Sequence, residues 1–560
     1  MQEKRKMEMN QAAGLSPEIC DMVIQTLRQV VQRDLPEGKI LELDHQDEFP
    51  LELIQKLLSP EVGLHLVFLP ESVGGLGGGA RDICRISEEM ASIDLGVATA
   101  FLAICLGTDP ILVGGTETQQ AHWLGKIATE GLIVAYGVTE PEAGSNVAAL
   151  KTVADQILDA DGQVTGYRLN GVKQFITNGG VAQLYTILAK TPGGPSFFVA
   201  ERDTPGLQVG KKEDKHGIRA SNTASVLMED MDLPVENLIC GEEGQGLKQA
   251  NAVFGYTRLM VGAFGLGGGQ AALDRAVAYA KTREQFGAPL IEKEGFTHKL
   301  LVPHFLNLAA GRAYVDRTAL RIDSGEKDLQ VEGSIAKYWC TEAGCLAANA
   351  ALQALGGYGY IREYMVEKHL RDVRITTIYE GTSEIQQNII GLFRWKETVR
   401  SKGKFYATVA TELDKLHQLQ PEASADRMAS CVRGLNEIIQ HCHAGRLTRN
   451  QFVLFKLADL ATRVEVGEAL TRKAALLAEQ DAAEAPLYAA MSRVFARETV
   501  AELYTTGSLC AAGQLDGEAT DKLEAARALD TRLAELLGTD AMTGQLLDMD
   551  IIASVLKAGD

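Results

Sequence analysis

The chain has 560 residues, of which 46% are apolar and 23% charged, the balance of a globular protein long enough for several domains. Its 74 acidic and 55 basic side chains give a net charge of -19, which argues against charge-driven binding to nucleic acid or to anionic membranes. No uncharged apolar run reaches the roughly 18 residues of a membrane span, and nine scattered cysteines with a charged, acid-containing start predict a protein of the bacterial cytosol.

The first region, residues 1–133, is predicted to be a helical domain. Residues 18–32 and 80–92 carry apolar side chains at helical spacing. Between them, residues 70–79 form a glycine-rich stretch that superficially resembles a dinucleotide-binding fingerprint. No strand–helix–strand unit with a downstream ribose-binding acid accompanies it, so a nucleotide-binding fold of that kind is disfavoured.

Residues 134–240 are predicted to form a β-sandwich or barrel-like domain. Turn signals such as Asp161-Gly162, Asn170-Gly171 and Pro192-Gly193-Gly194 separate short runs rich in β-forming residues. The predicted strands are 133–138, 166–169, 175–177, 184–189, 196–199 and 224–228.

Helical periodicity returns from residue 241 onward. In residues 241–395, which we predict to be a four-helix bundle, one apolar stripe comprises Ile335, Trp339, Ala343, Leu346 and Ala350. Residues 396–560 add long Ala/Leu/Glu/Arg segments that predict a second helical bundle. The predicted fold class is therefore a multidomain α+β protein, with an N-terminal helical domain, a middle β domain, a four-helix bundle and an additional C-terminal helical bundle.

One short stretch, residues 378–386, combines a carboxylate with the signals of a helix start. Glu380 precedes Gly381, and Ser383 with Gln386 fits an N-terminal capping box. This predicts Glu380 on a sharp turn at the mouth of a helix, with its side chain able to point into a cavity. Taken alone, the same pattern fits an exposed acidic residue in a loop.

Several motifs in chain order give this stretch its context. They are Ala135–Asn146 (AYGVTEPEAGSN), Asn170–Gly179 (NGVKQFITNG), Lys215–Thr223 with Leu233–Asn237, Arg283–Gly287 (REQFG), Gln353–Gly357 (QALGG) and the Glu380 turn. In this order and spacing, residues 50–395 resemble the acyl-CoA dehydrogenase family. The extension after residue 395 and the 215–223 segment are similar to the very-long-chain branch of that family.

The resemblance implies a fold, a cofactor and a catalytic base. The cofactor is FAD, and the base is Glu380, because the alternative base position of some relatives corresponds to Thr257, which cannot serve. FAD is expected to contact Tyr136, Val138, Thr139, Ser145, Phe175, Thr177, Arg283, Gln285, Phe286, Gln353, Gly356, Gly357, Thr382 and Glu384. Of these, Arg283 to Gly357 resemble residues that hold the ADP part of the FAD of a neighbouring subunit. The substrate is expected to contact Ser145, Gly255, Tyr256, Thr257, Arg258 and Leu102.

Three departures from the family pattern stand out. Glu142 and Asn146 replace a small and an acidic residue in the flavin loop, and Gly255 replaces an acid near the pantetheine. Neither Glu142 nor Asn146 removes a group that the chemistry requires.

The implied function is oxidation of a medium- to long-chain fatty acyl-CoA to trans-2-enoyl-CoA, in fatty acid β-oxidation, by a homodimer that passes electrons to an electron-transfer flavoprotein. No metal site is expected, because His441 and His443 lack further ligands. Two alternatives stay open at this point: an acyl-CoA oxidase that uses oxygen, and a redox-silent scaffold of the same fold. A flavin monooxygenase is disfavoured, since those relatives lack the carboxylate. Peripheral membrane association through an amphipathic helix stays open as well.

Overall fold

The computed structural model describes residues 14–513, 520–538 and 542–559, without the side chains at positions 255, 256 and 520. The chain forms two compact units. Unit 1 comprises the described residues up to Gly268, together with Ala319–Gln330 and Arg362–Glu380. Unit 2 comprises Gly269–Thr318, Val331–Ile361 and the described residues from Gly381 onward. The division into four regions drawn from the sequence stays a prediction.

Unit 1 begins with the predicted helices. They are α1 (Pro17–Asp34), α2 (Glu37–Gln46), α3 (Leu51–Leu58), α4 (Ala80–Ile93), α5 (Leu95–Gly114), α6 (Glu117–Gln119) and α7 (Gly125–Glu130), with a π-helical turn between the last two. The glycine-rich stretch leads directly into α4. By length and hydropathy α5 meets the criteria for a membrane span, contrary to the expectation from sequence, but 83% of its most apolar window is buried inside the protein, as in a core helix.

A mixed seven-stranded sheet follows α7. Its strands are β1 (Val134–Gly137), β2 (Val153–Leu158), β3 (Val164–Thr177), β4 (Leu184–Thr191), β5 (Gly194–Glu201), β6 (Leu207–Lys212) and β7 (Thr223–Pro234). The order is β1-β4-β2-β3-β7-β6, with β5 paired to β4. The β1–β4 pairing is parallel, whereas the long β3–β7 and β4–β5 pairings are antiparallel.

The sequence-based strands differ from the observed ones in two respects. The turn predicted at Asn170-Gly171 is wrong, because β3 continues through it and only its pairing with β7 shifts register between Leu169 and Gly171. That shift is a β-bulge, and in the sequence a bulge that contains glycine can look like a turn. Strands β2 and β6 were missed because most of their side chains are polar or solvent-exposed.

The remaining elements are mainly helical. They are α8 (Gly246–Thr282), β8 (Glu284–Gln285), β9 (Ala288–Pro289), α9 (Glu294–Leu300), α10 (Val302–Asp323), α11 (Gln330–Leu355), α12 (Met365–Val373), α13 (Ser383–Arg400), α14 (Lys404–Leu419), α15 (Ala425–Ala444), α16 (Gln451–Glu479), α17 (Ala485–Ala512), α18 (Thr520–Leu537) and α19 (Gln545–Ala558). The predicted mixture of helical regions around a β region is thus confirmed.

The stripe predicted on α11 is wrong at one position. Leu346 is 54% exposed, although Ile335, Ala343 and Ala350 are buried as predicted. The helix packs through small residues instead, since a Cβ placed on Gly269 of α8 would lie 2.6 Å from Cα of Gly344. Because the two backbones approach so closely, there is no room for a leucine side chain on the face of α11 that carries Gly344.

A buried charge network in unit 2 joins the helices before and after residue 400. Arg394 of α13 donates to both carboxylate oxygens of Glu465 on α16, at 2.7 and 2.8 Å, and to Glu332 of α11 at 3.1 Å. Tyr406 of α14 donates to Glu465 at 3.0 Å, and the guanidinium lies 5.3 Å from the ring centroid of Phe405. The C-terminal extension is therefore attached to α11 and α13 through a fully paired cation.

Candidate active site

Glu380 lies on the sharp turn that the sequence predicts. Its φ is 54° and that of Gly381 is 88°, so two successive residues adopt left-handed conformations. The predicted capping box is shifted by one residue: Thr382 is the N-cap of α13 and accepts from the backbone N–H of Ile385 at 3.4 Å. Ser383, the first helical residue, instead donates to Glu342.

A buried ion cluster holds the chain segment that leads to Glu380. Nζ of Lys368, on α12, lies 2.5 Å from carboxylate oxygens of both Asp94 and Asp372. Asp94 also caps α5 by accepting from the backbone N–H of Val97 at 2.8 Å. Burial acts to lower the pKa of Lys368, but the two carboxylates outweigh it and raise that pKa. The cluster therefore anchors α12 to the start of α5.

The Glu380 carboxylate contacts the middle of α8. The Thr257 hydroxyl, itself completely buried, donates to Oε2 of Glu380 at 3.2 Å. The next residue, Arg258, is 5% exposed, and its guanidinium lies 5.8 Å from the ring centroid of Phe254. Burial lowers the pKa of Arg258, and the charge of Glu380 opposes that shift. Two of the residues that the resemblance assigns to substrate, Thr257 and Arg258, thus lie beside the predicted base.

The charge of Glu380 also acts on three further side chains, two of which the sequence did not mark as site residues. Burial, reinforced by the Glu380 charge, raises the pKa of Asp109 on α5 and of Tyr136 on β1 well above their ordinary values. Burial likewise raises the pKa of Tyr379, and Glu380 adds to it. The sequence singled out Tyr136 only as a flavin contact. No pattern marked Asp109, since Asp-Pro inside an apolar run is typical of a helix end rather than of a site.

Close packing of α5 on the sheet fixes Asp109 relative to Tyr136. A Cβ on Gly107 would lie 2.8 Å from Cγ1 of Val134 in β1. The Thr186 hydroxyl of β4 donates to the carbonyl of Gly107 at 2.8 Å, and the Asn178 amide donates to the carbonyl of Ala100, also at 2.8 Å. The helix therefore cannot shift along the sheet without breaking these bonds.

A second buried ion pair shapes the predicted flavin loop after β1. Lys173 donates to Oε1 of Glu140 at 2.6 Å, with both side chains almost wholly buried. Glu140 also accepts from the backbone N–H groups of Lys151 and Thr152 at 2.5 and 3.0 Å. Although burial opposes it, these bonds hold the pKa of Glu140 below its ordinary value, while burial lowers that of Lys173 to about 8. Val138 is buried at the base of the loop and Ser145 is exposed on it.

The aromatic residue predicted to face the flavin has an unusual backbone. Phe175 is 65% exposed with φ of 58°, and Thr177, two residues later, pairs with Thr223 of β7. Bulky side chains rarely occupy the left-handed region, and such strain concentrates at functional sites. Phe286, another predicted cofactor residue, is 97% exposed with φ of 51°.

Unit 2 contains a cavity of about 450 Å³ where the sequence predicts the ADP part of FAD. Arg283, Gln285, Gly356 and Gly357 line it together with Tyr279, Leu290, Ala354, Leu355, Tyr358 and Ile361. A Cβ on either glycine would meet no atom within 4 Å, so the backbone is open to a ligand, and an arginine fork suits a pyrophosphate. The residues present therefore fit the cofactor. The cavity lining does not include Phe286 or Gln353.

The other predicted residues have simpler surroundings. Glu384 is exposed in the first turn of α13, and Leu102 is buried in α5. The side chains of Gly255 and Tyr256 lie outside the described part of the chain.

Comparison with known proteins gives consistent matches over most of the chain. Residues 17–131, 135–231 and 244–392 match the N-terminal, middle and C-terminal domains of acyl-CoA dehydrogenase. A short-chain-specific acyl-CoA dehydrogenase from Megasphaera elsdenii is 38% identical over 361 residues, covering 63% of this chain and 92% of that protein.

Two solved structures extend the comparison. An acyl-CoA dehydrogenase complexed with FAD from Bacillus anthracis shares the fold over 97% of this chain and 96% of its own, with a TM-score of 0.82 at 24% identity. A chain of the electron transferring flavoprotein structure of Acidaminococcus fermentans is 32% identical, with a TM-score of 0.63 over 67% of this chain and 98% of that one.

Proposed function

The chain belongs to the acyl-CoA dehydrogenase family and is an FAD-dependent oxidoreductase, and on this premise we propose that it converts a medium- to long-chain fatty acyl-CoA into the trans-2-enoyl-CoA with Glu380 as the base. The observation that carries the proposal is the position of the Glu380 carboxylate. It accepts from buried Thr257 and lies near enough to Asp109, Tyr136 and Tyr379 to raise their pKa values.

In the proposed reaction, Glu380 removes a proton from the carbon next to the thioester. The Thr257 hydroxyl donates to one carboxylate oxygen and so orients the carboxylate. By resemblance, the backbone N–H of Glu380 donates to the thioester oxygen, where negative charge develops. Bound FAD supplies the acceptor for the hydride that leaves the next carbon. The proton on Glu380 and the hydride account for both hydrogens that the double bond requires.

The local structure supports this role for Glu380 rather than for another carboxylate. Its backbone is left-handed, and its carboxylate contacts Thr257 of α8. Asp109, the other nearby carboxyl group, has a pKa raised well above its ordinary value by burial. Burial therefore disfavours the ionised form that a general base requires.

An anaerobic titration tests the proposal. Saturated acyl-CoAs from four to eighteen carbons are added to purified holoprotein, and the flavin absorbance is followed. We expect chain-length-dependent bleaching in the wild type, none in Glu380→Gln, and normal bleaching in Glu397→Gln. The last variant is a matched control, because Glu397 is an exposed glutamate of α13 that is assigned to no site. Bleaching by Glu380→Gln at the wild-type rate would refute the assignment of the base.

We further propose that the reduced protein passes its electrons to an electron-transfer flavoprotein, which the similarity to the Acidaminococcus fermentans chain supports. Reoxidation is then expected to be fast with that protein and slow with dissolved oxygen. Fast hydrogen peroxide formation would instead identify an acyl-CoA oxidase.

The proposed assembly is a homodimer in the bacterial cytosol, acting in fatty acid β-oxidation. The dimer is proposed because the resemblance assigns the residues lining the unit 2 cavity to the FAD of a neighbouring subunit. The cytosol is proposed because the nine cysteines are scattered along the chain and odd in number, which argues against a disulfide framework. Light scattering during size-exclusion chromatography tests the dimer, and a monomer that retains FAD would refute it.

A further inference from the structure

Asp109 is a buried acid that the proposed reaction does not use. It lies inside α5, is 4% exposed, and follows Thr108 and precedes Pro110 in an apolar helix. Its Oδ2 has no hydrogen-bond partner among the residues that the structure describes. Its Oδ1 accepts from Sγ of Cys105 at 4.0 Å. A carboxyl oxygen without a hydrogen-bond partner is costly to bury, so its retention calls for a ligand.

The surroundings of Asp109 define what such a ligand must be. The described charge that acts on Asp109 is that of Glu380, and no cation appears among the groups that shift its pKa. The buried hydroxyl of Tyr136, influenced by both Glu380 and Asp109, also lacks a partner within the described chain. In its neutral form, which burial favours, Asp109 offers one carboxyl O–H donor and one acceptor, and Tyr136 adds one phenol. The ligand that matches these groups is a neutral one that can both donate and accept a hydrogen bond.

The position of Asp109 on α5 relates it to the acyl chain. Thr99, Leu102 and Asp109 are spaced by three and seven residues, which places them on one face of the helix. Leu102 was assigned to the substrate from the sequence. The two reacting carbons have to lie beside Glu380, so a substituent that meets Asp109 belongs to a later carbon of the chain.

Resting on the proposed function, we propose that Asp109 is a specificity-determining residue that binds a hydroxyl group carried by the acyl chain beyond its β carbon. The substrate class is thus a hydroxylated acyl-CoA rather than a plain alkanoyl-CoA. A plain alkyl chain would offer no hydrogen bond to Oδ2 of Asp109 or to the Tyr136 hydroxyl, which have no partner within the described residues. Sites that hydrogen-bond a substrate hydroxyl discriminate strongly against the analogue that lacks it.

The test compares kcat/KM for pairs of acyl-CoAs of equal length, with and without a hydroxyl at each carbon from the fourth to the eighth. The 4- and 5-hydroxy thioesters are freshly prepared because they cyclise. In the wild type we expect at least one hydroxylated member to exceed its parent at least tenfold. In Asp109→Leu that ratio should fall at least tenfold, and in Asp109→Asn, which retains hydrogen-bonding atoms, most of it should persist.

Two further measurements separate binding from a structural role. Thr108→Val is the matched control, since the Thr108 side chain is equally buried and its hydroxyl donates to the carbonyl of Ile104 in the same helix. The preference of this variant for hydroxylated substrates should match that of the wild type. Removing an unpartnered buried acid should also raise the melting temperature of the Asp109→Leu holoprotein, whereas loss of a structural contact would lower it.

The outcomes are distinguishable from those that test the proposed function. If no acyl-CoA of either kind bleaches the flavin, the proposed dehydrogenation fails. If alkanoyl-CoAs bleach it and the hydroxyl preference is absent in the wild type, or unchanged in Asp109→Leu, the dehydrogenation stands and the role of Asp109 is refuted.

Discussion

Two buried clusters of charged side chains, one in each unit, are built in opposite ways. In unit 2, the Arg394 guanidinium meets two carboxylates and an aromatic ring within a network of short bonds. In unit 1, Asp109 is equally inaccessible but has no described partner for Oδ2, and Glu380, on the strained turn, raises its pKa further.

The difference indicates what each cluster is for. A buried charge whose partners are all present contributes to one conformation, and its loss leaves the partners uncompensated. Buried polar groups that lack partners lower the stability of the protein alone and become favourable only with a ligand. The comparison therefore predicts that substitutions of Glu380 and Asp109 change activity more than stability, and that substitutions around Arg394 do the reverse.

The largest expected effect is that of Glu380→Gln on the reaction. Loss of the base should slow flavin reduction by about 10⁴-fold, the upper end of general-base contributions. Because glutamine has the same shape and can still bond to Thr257, the melting temperature should stay within about 2 °C of the wild type. Stopped-flow absorbance and calorimetry measure the two quantities. A large loss of stability in Glu380→Gln would contradict the prediction that this residue affects activity more than stability.

Arg394→Met should have the largest effect on stability. It leaves Glu465 and Glu332 buried without their cation, which costs about 3–5 kcal/mol. Flavin reduction per bound FAD should be unchanged. Chemical denaturation measures the loss, and adding Glu465→Gln to Arg394→Met should recover part of it, since the uncompensated charge is then removed. Full activity loss at unchanged stability would contradict the structural role.

Lys173→Met tests a buried ion pair that is expected to affect both stability and cofactor binding. The pair of Lys173 and Glu140 is buried like Arg394, yet it holds the loop predicted to contact FAD. Its loss should cost about 3 kcal/mol and also weaken FAD binding, by at least tenfold in the dissociation constant. Fluorescence titration of apoprotein measures the binding. Unchanged FAD affinity would show that the loop does not depend on the pair.

The smallest expected effect concerns pH and Asp548 of α19. Its carboxylate accepts from Arg493 and Arg497 of α17 at 2.5–3.0 Å. Although burial opposes it, these bonds hold the pKa of Asp548 below its ordinary value. The stabilisation is therefore complete above the unfolded-state pKa near 4 and is lost as the pH falls through the folded-state pKa. Asp548→Asn should cost about 2 kcal/mol at pH 7, and its deficit relative to wild type should shrink in acid. A deficit that is constant from pH 7 to pH 3 would contradict this.

Much of the fold could be predicted because local signals and burial agree. Strands β4 and β5 were found from continuous apolar runs joined by Pro192 and Gly193, which form the observed two-residue turn. Strand β6 was missed because it is partly exposed, so it lacks the apolar alternation that burial of one face produces. Leu346 was misplaced because periodicity does not reveal which face of a helix packs through small residues.

The site residues were predictable only where a catalytic or binding side chain lies within a recognisable sequence motif. Glu380, Thr257 and Arg258 come together as the resemblance implied, although 123 positions separate the first two in sequence. Asp109 carried no such signal, because its significance depends on the partners that it lacks in three dimensions. A sequence shows which groups are present and not which of them stay unpaired after folding.

The left-handed backbone shared by Glu380, Phe175 and Phe286 has a consequence for evolution. Glycine would adopt these conformations at a cost lower by about 1–2 kcal/mol than a side chain bearing a Cβ. Selection for thermal stability alone would therefore favour glycine at each of these positions. Laboratory evolution of this chain for heat resistance, without a screen for turnover, should accumulate glycine there early, and such substitutions would record where natural selection has favoured activity over stability.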